Sequence, residues 1–259
     1  MHLTELTEKL REAADPAIKA FGDSLQPGIT NRIGVRMPAV RRLARDVMKG
    51  DVRAFLEEAL VPGALTTQET VMVTGIVIGL AKGLTSEERL GFVRRYLPNL
   101  DGWATCDLFG TSLKLLREDR GAYLGFVAEC LRSDHIWTVR TAEVWLLEQY
   151  RDPEWIEAAL RTLEEPRVFD LAAREYYLSM SLAWCLSMLY TVKPRLTADW
   201  TETQVRRGRL DRRTAARTVR KICESLRPTA QQKADVKARF AALLAAPGVK
   251  EGISNGKPS

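Results

Sequence analysis

The chain has 259 residues, 46% of them hydrophobic and 28% charged, and a formal charge of +6. That length can bury a real hydrophobic core without staples, and that composition excludes a wholly disordered chain. Residues 71–81 form the longest apolar run, about half of what a membrane span needs. The mixed-charge N-terminus does not read as a signal peptide. A cytoplasmic protein with no membrane partner is the expectation.

In chain order the pattern predicts helices and no strands. Leu3, Leu6 and Leu10 fall on one helical face. Pro38 opens a helix with Val40, Leu43, Ala44 and Val47 on one side. A short helix at 52–60 is stopped by Pro62-Gly63. Residues 67–81 are apolar nearly all round, which predicts a central, buried helix. Thr85-Ser86-Glu87-Glu88 is a cap followed by acids, and starts a helix that ends before Pro98. Further helices are predicted at 102–118, 120–132, 135–149, 153–163, 171–190, 203–209, 212–225 and 229–245, with Ser133 or Asp134 capping the third of these. Helices of this length joined by short turns point to an all-α fold, an α-solenoid of stacked antiparallel helix pairs, HEAT-like or armadillo-like. No strict period near 40 residues recurs. The expected organisation is a single domain over 1–245 and a flexible tail at 246–259, rich in Gly, Ser, Pro and Lys.

Cys106, Cys130, Cys185 and Cys223 are scattered and form no CxxC, and the chain has two histidines. Neither a zinc site nor a disulfide framework is expected, and the cysteines read as small apolar side chains. The charge is uneven. Residues 205–240 hold twelve basic side chains against Asp211, Glu224 and Asp235. A second cluster holds Arg32, Arg36, Arg41, Arg42, Arg45 and Lys49 against Asp46. Two Arg-rich clusters point to a polyanion, most simply nucleic acid, because the guanidinium fork donates two parallel hydrogen bonds to phosphate. A solvated helix face is the alternative.

Three constellations stand out. Trp103 and Asp107 are one helical turn apart; on residue type alone the favoured reading is a core indole and a solvated or capping acid. Arg140 lies between Val139 and Ala142 on an apolar helix, so it needs a carboxylate or phosphate partner, Glu143 being one choice. Tyr177, Ser181, Trp184 and Met188 share a face; such a stripe is core packing or a surface on which a base or sugar stacks.

With these residues the chain resembles the DNA alkylation repair family, the AlkD-like HEAT-repeat DNA glycosylases. The resemblance runs over about 30–244 and is carried by IGVRMPAVRRLAR, LDGWATCD, SDHIWTVR, EYYLSMSLAW and the terminal basic helix, in that order. It implies a solenoid cradling duplex DNA on a concave basic face and removing cationic N3- or N7-alkylpurines. No metal and no other cofactor is implied, and no flipping of the lesion into a deep pocket. The family's catalytic acid falls on Asp107, its two cleft tryptophans on Trp103 and Trp184, and its backbone-binding arginine on Arg140. Arg36, Arg41, Arg42, Arg213, Arg217 and Lys221 are further candidates for DNA contact, although the first three could instead brace the first helix pair. A cationic purine is already a good leaving group, so the chemistry asks for a fixed negative charge near an oxocarbenium-like sugar rather than a general acid. Two other classes remain open: a DNA-binding solenoid without catalysis, recognising bent or branched DNA, and a protein–protein adaptor with an acidic partner. A monomer is the simpler expectation for each.

Overall fold

The computed structural model describes residues 1–252, which are helical with no strand among them; their only β pairing is an isolated bridge between Ala14 and Val35. They divide into two compact units, residues 1–118 and residues 119 onward. No helix among the described residues is long and apolar enough to cross a membrane.

The first unit contains α1 (Leu3–Glu12), α2 (Pro16–Leu25), α3 (Met37–Val47), α4 (Val52–Ala59), α5 (Gln68–Leu80), α6 (Ser86–Tyr96) and α7 (Trp103–Ser112). Its core is α5. Thr67 starts it with a capping box to Thr70, and every residue except Met72 and Leu80 is buried, as the all-round apolar run predicts. It packs against α3 and α7. The close approach to α7 depends on Gly79: a Cβ there would lie 2.6 Å from the Ser112 backbone. The apolar face of α3 is the predicted one, with Val40, Leu43, Ala44 and Val47 buried. Thr85 caps α6 in a reciprocal box with Glu88.

The second unit contains α8 (Arg120–Leu131), α9 (Ile136–Gln149), α10 (Ile156–Thr162), α11 (Pro166–Arg174), α12 (Tyr176–Tyr190), α13 (Pro194–Arg206), α14 (Arg212–Glu224) and α15 (Ala230–Ala245). Here α12 is central, packing against α9, α11, α13 and α14.

Several boundaries differ from the predicted ones. The helix expected over 171–190 breaks at Glu175, whose backbone is extended (φ −106°, ψ 118°). No Gly or Pro marks that junction, so the apolar pattern runs through it unbroken. The short helix expected at 203–209 is the end of α13, which begins at Pro194. Its buried side chains include Thr197, Ala198, Thr201 and Gln204, too small and polar to show a hydrophobic period. The unpredicted α2 buries no residue at all; Asp15 caps it by accepting from the N–H groups of Ala17 and Ile18. The helix expected at 102–118 stops at Ser112 and a 3-10 turn follows at Lys114–Arg117. Neither Ser133 nor Asp134 caps α9. Its N-cap is His135, and Ser133 Oγ instead accepts from the His135 N–H at 3.1 Å.

Past α15, the Arg212 N–H donates to the Lys250 carbonyl at 2.8 Å and Arg212 Nε pairs with Glu251 at 2.8 Å. The remainder of the segment expected to form a tail, residues 253–259, lies outside the described residues.

Candidate functional site

In the first unit, Trp103 is the first residue of α7 and Asp107 follows one turn later. Both are half-buried, whereas Thr105, Cys106, Leu108 and Phe109 are buried. The helix has no other charged side chain, so Asp107 is its sole fixed charge. Trp103 also forms one wall of a cavity of about 550 Å³, together with Phe21, Leu25, Met37 and Met72. At its floor lies Glu69, buried, whose Oε1 accepts from the N–H groups of Gly34 (2.8 Å), Ile33 (3.2 Å) and Val35 (3.3 Å).

The first basic cluster splits in two. Arg32 is buried, its Nε donating to Gln68 at 2.9 Å and its Nη1 to Asp23 at 2.8 Å, so it braces the unit. Arg36 pairs with Asp15 at 3.1 Å but stays mostly exposed. Arg41, Arg42 and Arg45 point into solvent with no ion-pair partner among the described residues.

In the second unit, Trp184 is half-buried on α12, a helix with no charged residue, between fully buried Ala183 and Cys185. The stripe of four residues is not one exposed surface. Ser181 is fully buried, and Tyr177 packs its ring against Trp137 at 5.3 Å.

Arg140 is 6% exposed on α9 and donates Nη1 to the Tyr177 carbonyl at 2.8 Å. Glu143, the acid suggested as its partner, hydrogen-bonds with Ser181 instead. Burial pushes the Glu143 carboxyl up to about 8, against the opposing effects of Ser181 and the Arg140 charge. Its Oε1 has no hydrogen-bond partner among the described residues. On α14, Arg213, Arg217 and Lys221 recur every fourth residue on one face and are half-buried.

Cys106, Cys130 and Cys185 are buried and Cys223 is partly buried, and no disulfide joins them among the described residues. Burial raises the Cys185 thiol well above its ordinary range. No group of three or more His, Cys, Asp or Glu side chains arranged to hold a metal occurs among the described residues.

The candidate residues thus fall in two sets. Trp103, Asp107, Arg36, Arg41 and Arg42 lie in the first unit, and Arg140, Trp184, Arg213, Arg217 and Lys221 in the second. Sequence reasoning did not find the roles of Glu69 and Glu143. The only signal was an acid inside an apolar stretch, Gln68-Glu69 opening α5 and Ala142-Glu143-Val144 within α9. A family model described as "DNA alkylation repair enzyme" matches residues 6–243, a span that includes all ten of these candidates. No curated protein and no solved structure matches the chain.

Proposed function

The chain belongs to the DNA alkylation repair enzyme family, and from that premise we propose that it is a metal-independent, monofunctional DNA glycosylase, monomeric and cytoplasmic. Its substrate is duplex DNA carrying a cationic N3- or N7-alkylpurine. The observation that carries this reading is Asp107, the one charged side chain on α7, half-exposed one turn after a half-exposed Trp103.

In the reaction the bond from C1′ to the purine nitrogen breaks and its electron pair neutralises the departing base, so no general acid is required. The sugar is left as an oxocarbenium-like cation. The Asp107 carboxylate stabilises that cation and orients the water that adds to C1′, whose released proton passes to Asp107 or solvent. Trp103 and Trp184 supply π faces that favour positive charge and exclude bulk water. Arg140 contacts a backbone phosphate and fixes register, with Arg36, Arg41, Arg42, Arg213, Arg217 and Lys221 adding sequence-independent attraction.

The test is single-turnover base release from duplex DNA containing 7-methylguanine or 3-methyladenine, wild type beside Asp107→Asn. The substitution is expected to slow release by about a hundredfold or more, ~2.7 kcal/mol of transition-state stabilisation, with DNA affinity unchanged or slightly higher. No release by the wild type, despite tight salt-sensitive binding, would leave a DNA-binding protein without this chemistry.

A further inference from the structure

Arg217 is held in one orientation by the second unit, yet no carboxylate among the described residues pairs with it directly, Asp211 acting on it only at a distance. Its guanidinium lies over the Tyr176 ring, 5.0 Å from the centroid, and its Nη1 donates to Ser179 Oγ at 2.5 Å. Ser179 Oγ is 2.7 Å from Thr214 Oγ1, and Thr214 Oγ1 donates to Asp211 Oδ2 at 2.6 Å. Because the Thr214 proton is directed at Asp211, Ser179 must be the donor to Thr214. The hydrogen bonds therefore run one way, Arg217 to Ser179 to Thr214 to Asp211. Ser179, Thr214 and Asp211 are buried, and Asp211 is fixed in turn by the N–H groups of Arg213 and Thr214 at 3.0 Å each.

An arginine placed this way has lost rotamer freedom and some hydration, and burial lowers its pKa. It nevertheless makes no ion pair among the described residues. Four of its five N–H donors remain to be used. A partly desolvated guanidinium of this kind calls for an anion matching its fork. The surroundings select a polymeric one. Helix α14 carries Arg212, Arg213, Arg217, Arg220 and Lys221 against Glu224 alone, and Arg213, Arg217 and Lys221 follow one another at a rise of ~6 Å on one face.

We propose that Arg217 is a pre-oriented phosphodiester clamp for a DNA strand, with Tyr176 and Ser179 as its positioning residues. This rests on the DNA-binding part of the proposed function and not on its chemistry.

The experiment is the salt dependence of affinity for an unmodified duplex. Arg217→Gln is expected to flatten the slope of log K against log salt by about 0.9 and to weaken low-salt binding about tenfold. Arg217→Lys keeps the slope but loses the fork, and is expected to bind a few-fold more weakly. Ser179→Ala and Tyr176→Leu should also keep the slope and weaken binding a few-fold, and neither should weaken it further when combined with Arg217→Gln. Arg195→Gln, at an exposed site on α13, is the charge-matched control. A slope for Arg217→Gln equal to that of Arg195→Gln would overturn the proposal. So would Ser179→Ala and Arg217→Gln effects that simply add, or an Arg217→Lys variant that binds like wild type. Saturable binding of inorganic phosphate at micromolar concentration, lost in Arg217→Gln, would reassign the site to a free anion and also overturn it. Base release measured in parallel separates the two ideas: a flattened slope without release sinks the glycosylase reading and leaves the clamp.

Discussion

Glu69 in the first unit and Glu143 in the second are both buried carboxyl groups, and the chain accommodates them in different ways. Glu69 sits in the first turn of α5 beneath the segment 33–35, whose N–H groups converge on it at 2.8 to 3.3 Å. These N–H groups supply hydrogen bonds in place of those to water that are lost on burial. Glu143 faces no such convergence. It has the Ser181 hydroxyl on one oxygen, no hydrogen-bond partner on the other among the described residues, and the Arg140 charge within electrostatic reach. One hydroxyl cannot replace a hydration shell, so burial favours the neutral acid. A buried carboxyl is therefore defined by the number of donors that meet it, more than by depth.

The central helices differ in a related way. Helix α5 lets a neighbour come close by omitting side chains, at Gly75 beneath the Tyr96 hydroxyl and at Gly79 beneath Ser112. Helix α12 contains no glycine and fills its surroundings with Leu, Ala, Cys and Ser.

The strongest way to break this comparison is Glu69→Ala. It should strand the three N–H groups of 33–35 and destabilise the protein by about 3 to 5 kcal/mol, read by chemical denaturation. A loss below about 1 kcal/mol would mean that the segment finds other acceptors.

Next comes the pH dependence of Glu143. Its carboxyl is held up at about 8 in the folded protein, above the ordinary value of 4.5. As pH rises from the ordinary value toward 8, the unfolded chain ionises first. Stability conferred by the neutral acid is then lost at up to about 1.4 kcal/mol per pH unit. Glu143→Gln should abolish that component, leaving a variant that compares better with wild type at pH 8 than at pH 5 by on the order of 2 to 3 kcal/mol. Parallel profiles for the two proteins would show that Glu143 is ionised throughout.

Gly79→Ala tests the difference between the central helices. A Cβ pressed against the Ser112 backbone should cost about 2 kcal/mol, measurable as a lowered denaturation midpoint. The smallest effect belongs to the surface: Arg42→Gln should change stability by less than about 0.5 kcal/mol while flattening the salt dependence of DNA binding by about 0.9.

Where an element declares itself locally, the sequence is a sufficient guide. The Thr85-Ser86-Glu87-Glu88 cap, the apolar face of α3 and the all-round apolar α5 are all readable because each depends on residues within one or two turns. Elements without such a local signal escape. Helix α2 is short and carries Ile18, Phe21 and Leu25 on one face without burying any of them, α13 buries Thr197, Thr201 and Gln204 beside Ala198 and Val205, and the break at Glu175 has no punctuating residue. The candidate site follows the same rule. Trp103 and Asp107, four apart on one helix, could be paired on paper. The relay from Arg217 through Ser179 and Thr214 to Asp211 could not, since Ser179 comes from α12 and the other three from α14 and its N-cap.

By itself, then, the sequence determined the all-helical class, the buried centre at α5, the two basic clusters and the family resemblance, because helical periodicity, capping and charge are properties of neighbours along the chain. Only the tertiary structure decided that Arg32 is internal while Arg41 and Arg42 face solvent. It alone separated the bonding of Glu69 from that of Glu143, and left Arg217 oriented with no direct ion pair among the described residues. Hydration, hydrogen-bond supply and ion pairing depend on which distant segments meet, and residues 30 or more positions apart carry no local mark of their meeting.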